Sequence, residues 1–179
     1  MTAPAPHSNA STAAFYATAT VPEAVYRHAM AKLAAAVNIV TTDGPGGRAG
    51  FTASAVCSIC ADPATLLICL NRSASAHAFF RANPSLCVNV LTPLHRDIAA
   101  AFAGKIPMAQ RFDTGNWISA VTGAPVLADA AASFDCRIVE RNPVGTHTLL
   151  LCEVIHARHR EDSDALVYFS RGYHDLTYP

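Results

Sequence analysis

Two stretches, AAASFDCRIVER (130–141) and THTLLLCEVIHARHR (146–160), are set apart only by NPVG (142–145), and their reading decides the fold. Both read as long strands, rich in β-branched and apolar residues and bounded by turn formers. A connection this short makes them antiparallel neighbours, because a parallel return needs a crossover of a dozen or more residues. Working outward, ALVYFS (165–170) makes a last strand before the ending RGYHDLTYP. Upstream, VNIVTT (37–42), RAGFTASAVCSIC (48–60), TLLICLN (65–71) and SLCVNVLT (85–92) are strands, with turns at DGPGG and ADPA. VPEAVYRHAMAKLAAA (21–36) reads as a helix: Pro22 and Glu23 suit its start, and Val25, Ala29 and Leu33 share a face. Short helices are expected around SASAHAFFRAN (73–83) and LHRDIAAAFAG (94–104), and residues 104–125 look irregular. The expectation is six or seven strands with a few short helices, a mostly β class closer to a barrel than to a doubly wound parallel sheet.

The 179 residues suffice for one domain with a sizeable core, taken as 21–179, behind an Ala/Ser/Thr/Pro-rich tail over 1–20. Thirteen basic residues balance thirteen acidic ones, which removes the electrostatic footprint of a nucleic-acid binder. A hydrophobic fraction of 51% against 15% charged residues suggests that a second subunit covers apolar surface. No eighteen apolar residues run together and the N-terminus has no basic start, so neither a membrane span nor a secretory signal is expected. The reading is cytoplasmic, with the six cysteines reduced. Cys57 and Cys60 make a C-x-x-C pair, but three apart on a strand they face opposite ways, and no second pair completes a zinc site. They read as structural, buried thiols, and no metal is expected.

Four clusters are left for chemistry. GFTASA (50–55) places Thr52, Ala53 and Ser54 in a strand with little side-chain bulk. A flat ligand could lie against such a backbone, and so could a tightly packed neighbouring strand. NRSASAH (71–77) puts Ser73 and Ser75 beside Arg72 and His77, at a helix start where Ser73 can cap and an anion is favoured. An ordinary helix start explains the same residues. His147 in GTHT opens a strand, and His174 in RGYH follows one; each alone is as easily a satisfied polar residue. His156 and His159 face opposite ways on a strand and look less useful. No glycine-rich dinucleotide fingerprint and no phosphate loop occurs.

In order along the chain, FTASAVCSI, LLICLNRSASAH, LCVNVL, FAGKIPMAQRF, SFDCRIVE, VGTHTLLLCEV and YFSRGYH resemble the short-chain flavin reductases that serve two-component monooxygenases. The resemblance spans about Tyr26 to Leu176. It implies a split, Greek-key, antiparallel β-barrel that binds FMN or FAD as a homodimer and draws hydride from NADH or NADPH. It implies that Thr52, Ala53 and Ser54 lie beside the isoalloxazine, and that Asn71, Ser73 and Ser75 contact the ribityl chain and phosphate. Lys105 and Phe112 would close around the tail, His147 would place the nicotinamide, and Tyr173 and His174 would line the same face. The partner implied is a flavin-dependent monooxygenase component. Two rival readings use the same framework: a flavin-binding module without reductase activity, and an oxidase like the pyridoxamine phosphate oxidases. GTHT and RGYH favour the reductase, since a sensor needs no nicotinamide platform.

Overall fold

A computed structural model describes residues 20–179; the tail read over 1–20 lies outside them apart from Thr20. Strands β1 (Ala35–Ala36), β2 (Asn38–Thr42), β3 (Ala49–Ala53), β4 (Val56–Ala61), β5 (Ala64–Asn71) and β6 (Ser85–Val90) come first. After them run β7 (Trp117–Ser119), β8 (Pro125–Leu127), β9 (Ala132–Val144), β10 (His147–His159), β11 (Ala165–Phe169) and β12 (Gly172–Leu176). Helices α1 (Glu23–Met30), α2 (His77–Ala82) and α3 (Arg96–Ala103), and 3-10 turns at Pro93–His95 and Met108–Phe112, complete the described residues. The principal sheet has seven strands in the order β3-β2-β6-β9-β10-β5-β4, every neighbour antiparallel. A three-stranded sheet, β1-β11-β12, and the β7–β8 pair lie beside it.

The β9–β10 hairpin is the spine. Its turn is tighter than expected: His147 pairs with Val144, so only Gly145 and Thr146 connect the strands, and Asn142 and Pro143 belong to β9. Gly145 takes φ +54° at the first turn position, a backbone state with little steric cost only for glycine. Along β10, Thr148, Leu150 and Cys152 are buried while Leu149 and Leu151 are half-buried, the period-2 signature of a sheet with one face on the core. Phe80 of α2 caps that face, fully buried and edge-on to Phe51 at 5.1 Å. Truncating so buried an aromatic costs about 3–5 kcal/mol.

RAGFTASAVCSIC is not one strand. It breaks at Ser54 and Ala55 into β3 and β4, which occupy opposite ends of the seven-strand order. Two residues can span only about 10 Å. The two edges of the sheet are therefore brought together at this point. Gly50 sits where nothing larger fits, since a Cβ there would lie 2.6 Å from the Phe102 ring.

Other departures from the sequence reading are local. The helix expected over 21–36 spans only Glu23–Met30, and none of its residues is buried, so its apolar face lacks the core contact that periodicity led us to expect. Ser73 caps nothing: α2 begins at His77 behind Ala76, because residues 72–76 form a turn organised by Asn71 instead. ALVYFS is not the last strand; β12 follows it and carries Tyr173 and His174. Cys57 and Cys60 are exposed rather than buried, on an edge strand whose register shifts between Ser58 and Cys60. No helix among the described residues is long and apolar enough to cross a membrane.

Candidate active site

The convergence of β3 and β4 leaves a cavity of about 490 Å3, within the range of ligand pockets. One wall is Thr52, Ala53, Ser54 and Ala55, where small side chains leave the backbone accessible. The Thr52 hydroxyl donates to Ala99 O at 2.6 Å, so it ties β3 to α3. Opposite, β5 ends in Cys69, Leu70 and Asn71, and His147 pairs directly with Asn71 in the sheet. Asn71 Oδ1 accepts from both the backbone N–H and the hydroxyl of Ser73, at 2.9 and 2.8 Å, and this Asx turn carries Ser75 to the rim. The hairpin turn is clamped to that loop: Arg72 N donates to Thr146 O at 2.9 Å, and the Arg72 guanidinium bonds Gly145 O. His147 Nδ1 lies 2.9 Å from the Thr146 hydroxyl. The two turns are thus locked together.

The residue that sequence reasoning missed is Arg111, the central cation of the site. It is 5% exposed, and all five of its N–H donors are engaged. Nε donates to Ile106 O, one Nη to the carbonyls of Gly50 and Phe102, and the other to Gly104 O and Ser75 Oγ, all at 3.0–3.2 Å. Every partner is neutral. Burial pulls its pKa down from the ordinary value, yet a guanidinium stays charged at any working pH. A positive charge with no carboxylate beside it leaves the cavity electropositive, and no Asp or Glu lines the wall. Its one sequence signal is an arginine between Gln110 and Phe112 in GKIPMAQRF, the stretch that also holds Lys105.

Thr52, Ala53, Ser54, Asn71, Ser75 and His147 thus gather round one cavity, and the other expected residues do not line it. Ser73 is exposed and spends its hydroxyl on Asn71. Lys105 is exposed beyond Gly104. Phe112 packs into the second apolar cluster, 5.0 Å from Phe102 and 5.2 Å from Trp117, with the Arg48 guanidinium 4.1 Å above its ring. Tyr173 packs beside Tyr168 in the small sheet, and His174 Nε2 meets Phe169 O at 3.1 Å. A wider cleft of about 1160 Å3 adjoins the cavity through Ser54 and Ala55 and is lined by α1, Tyr168 and Arg171.

Residues 30–177 match the family described as the flavin reductase like domain. This chain belongs to the flavin reductase family. It is similar to an FMN reductase (NADH) RutF of Stutzerimonas stutzeri, 60% identical over 152 residues that cover 85% of this chain and 87% of that protein. A second FMN reductase (NADH) RutF, from Variovorax paradoxus, is 55% identical over 159 residues, 89% of this chain and 88% of its own length. Among solved structures, the fold is similar to BorF, the flavin reductase component of a bacterial two-component tryptophan halogenase. The TM-score is 0.82 at 27% identity, over 88% of this chain and all of that one. An NADH:FAD oxidoreductase of Streptomyces globisporus, solved with NAD and FAD fragments, gives 0.79 at 28% identity over 85% of this chain and 92% of that one.

The lining of this flavin reductase suits holding and orienting ligands more than covalent chemistry. Its one thiol, Cys69, has its pKa raised by burial first and by Cys57 second, which makes it a poor nucleophile. The Thr52 hydroxyl is committed to backbone, and the wall holds no carboxylate to act as a base. A hydride transfer asks for none of these groups.

Proposed function

We propose that this protein reduces FMN with NADH and releases the reduced flavin to a monooxygenase component in the cytoplasm. The observation that carries this reading is the cavity's chemistry: a wall of small residues for a flat ring system, and a buried guanidinium with no counter-charge of its own. A planar ring with a phosphate tail fits that wall and that charge: the guanidinium N–H groups are spent on protein acceptors, so Arg111 offers its charge and Ser75 its hydroxyl proton. Bound FMN supplies the acceptor for hydride from NADH. The chain's own work is positional. The Ser54–Ala55 backbone bounds the ring's place, Ser75 and Arg111 form an anion-facing pair 3.2 Å apart, and His147 stands across the cavity mouth to orient the nicotinamide. Fixing two reactants in register is worth several kcal/mol of barrier on entropic grounds. The sensor and oxidase readings are not favoured, because the similar proteins are named as FMN reductases using NADH.

Steady-state absorbance of NADH tests the reading: consumption is expected only when FMN is added, without any organic substrate. A rate of zero in both conditions would overturn it. Mutation separates the two ligands. Ser75→Ala should raise the FMN dissociation constant about 10- to 100-fold, as loss of a hydrogen bond to a charged group costs roughly 1.5–3 kcal/mol. Ser73→Ala should do less, since that hydroxyl only braces Asn71. His147→Ala should leave FMN binding nearly intact while slowing flavin reduction in anaerobic rapid mixing. An His147→Ala protein that no longer binds FMN would reverse these roles.

The seven-stranded sheet, with its edges meeting at Ser54, is read as a split barrel completed by a second copy of the chain. Val25, Tyr26 and Leu33 on and after α1 are each more than half exposed, and the wide cleft beside them shares Ser54 and Ala55 with the cavity. Apolar surface of this extent fits coverage by a partner. Light scattering across a concentration series should give twice the chain mass, and Val25→Glu with Leu33→Glu should yield monomers of reduced FMN affinity. A wild-type monomer at full activity would contradict the dimer.

A further inference from the structure

A second cavity, of about 170 Å3, lies between α2 and the sheet, and only Leu70 is common to it and the first. Its floor is apolar: Leu70 of β5, Leu150 of β10 and Phe80 of α2 are all essentially without solvent contact. Its polar groups come from two directions. His77 and Arg81 project from successive turns of α2, four residues apart, and Arg141 comes from β9, where it pairs with Leu150. Arg141 is held in place from behind. Its Nε and one Nη donate to Phe80 O and Asn83 O, at 3.3 and 2.6 Å, at the C-terminal end of α2. Its other Nη has no hydrogen bond among the described residues. His77 Nε2 lies 3.1 Å from the Thr148 hydroxyl, which fixes the imidazole at the rim. No Asp or Glu lines the space.

We propose that this cavity binds a small carboxylate with a ring-sized apolar body. The two requirements come from different parts of the lining. Two guanidiniums with no counter-ion among the described residues call for an anion, and their planar forks match a carboxylate. The apolar floor calls for a hydrophobic group on the same molecule, and the volume is too small for a nucleotide. Inorganic phosphate satisfies the first requirement and not the second. A neutral ring alcohol satisfies the second and not the first.

The test is calorimetry on the full chain saturated with FMN, with benzoate as probe. Saturable binding of one benzoate per chain is expected, with benzyl alcohol and inorganic phosphate each at least about tenfold weaker. Arg81 is exposed, so Arg81→Glu should keep the wild-type melting temperature and FMN affinity while weakening benzoate at least about tenfold. Should the charge reversal shift the melting temperature, Arg81→Gln takes its place with the same expectation. Benzoate that competes with FMN, that binds the Arg81 variants as well as wild type, that is matched by phosphate, or that fails to bind would each overturn the proposal.

Discussion

Arg111→Met is expected to lose FMN affinity by about 100-fold and stability by about 3–5 kcal/mol. Methionine replaces the stem of the side chain and removes its head. The carbonyls of Gly50, Phe102, Gly104 and Ile106 and the hydroxyl of Ser75 then lose their shared donor in one step. A buried acceptor left without a partner costs roughly 1–3 kcal/mol, and water entering from the cavity offsets part of the total. The affinity loss has two parts: the guanidinium charge disappears, and Ser75 loses the group that aims its hydroxyl. Arg111→Lys should fall between the two proteins, because an ammonium restores the charge but cannot reach five acceptors in one plane. Flavin fluorescence titration and urea unfolding measure the two effects separately. An Arg111→Met protein that bound FMN within about threefold of wild type would remove Arg111 from the site.

The second large effect is alkaline. Burial pushes the Cys152 thiol up to about 12, partly countered by Arg141, and pushes Cys87 and Cys136 higher still. Unfolded, each thiol ionises near its ordinary value of 9.0. The folded pKa is therefore raised, so the stabilising contribution is complete below pH 9 and is lost as pH rises above it. Each thiol should remove about 1.4 kcal/mol per pH unit beyond 9, so by pH 11 the three together remove roughly 8 kcal/mol. That rivals the whole stability of a typical domain, about 5–15 kcal/mol. Urea midpoints taken from pH 8 to 11 should fall steeply, and Cys136→Ala should reduce the slope by about a third. A slope that Cys136→Ala leaves unchanged would mean that other groups govern alkaline unfolding.

Local pattern carried most of the fold, and of the eleven residues that the resemblance named, six line the cavity. The β9–β10 hairpin was legible because long apolar segments and a short connection leave few alternatives. The break at Ser54 was not, since Ala53 to Val56 has the same β-prone, small-residue composition as the strands around it. Only pairing to distant partners, β2 for one half and β5 for the other, separates them. The start of α2 was misplaced for a related reason: Asn71 and Ser73 use their side chains to close a turn, the alternative that polar residues always offer a helix start. Arg111 was invisible because its role lies in five acceptors, four of them backbone carbonyls, whose identity no side-chain motif records. Lys105 and Phe112 stand on either side of it in sequence, but one faces solvent and the other, half-buried, packs against the second apolar cluster.

Ser54 and Ala55 act as a ruler. Most surface connections can lengthen at slight entropic cost, so insertions in them are thermodynamically tolerable. This one joins the two end strands of the seven-strand order directly, so added length here would loosen the wall of the cavity that they form where they meet. Each added residue would allow about 3.3–3.6 Å of further separation, close to the thickness of one aromatic ring. On the proposed function, chain length at this joint, rather than any side chain, would gauge how many stacked rings the cleft admits.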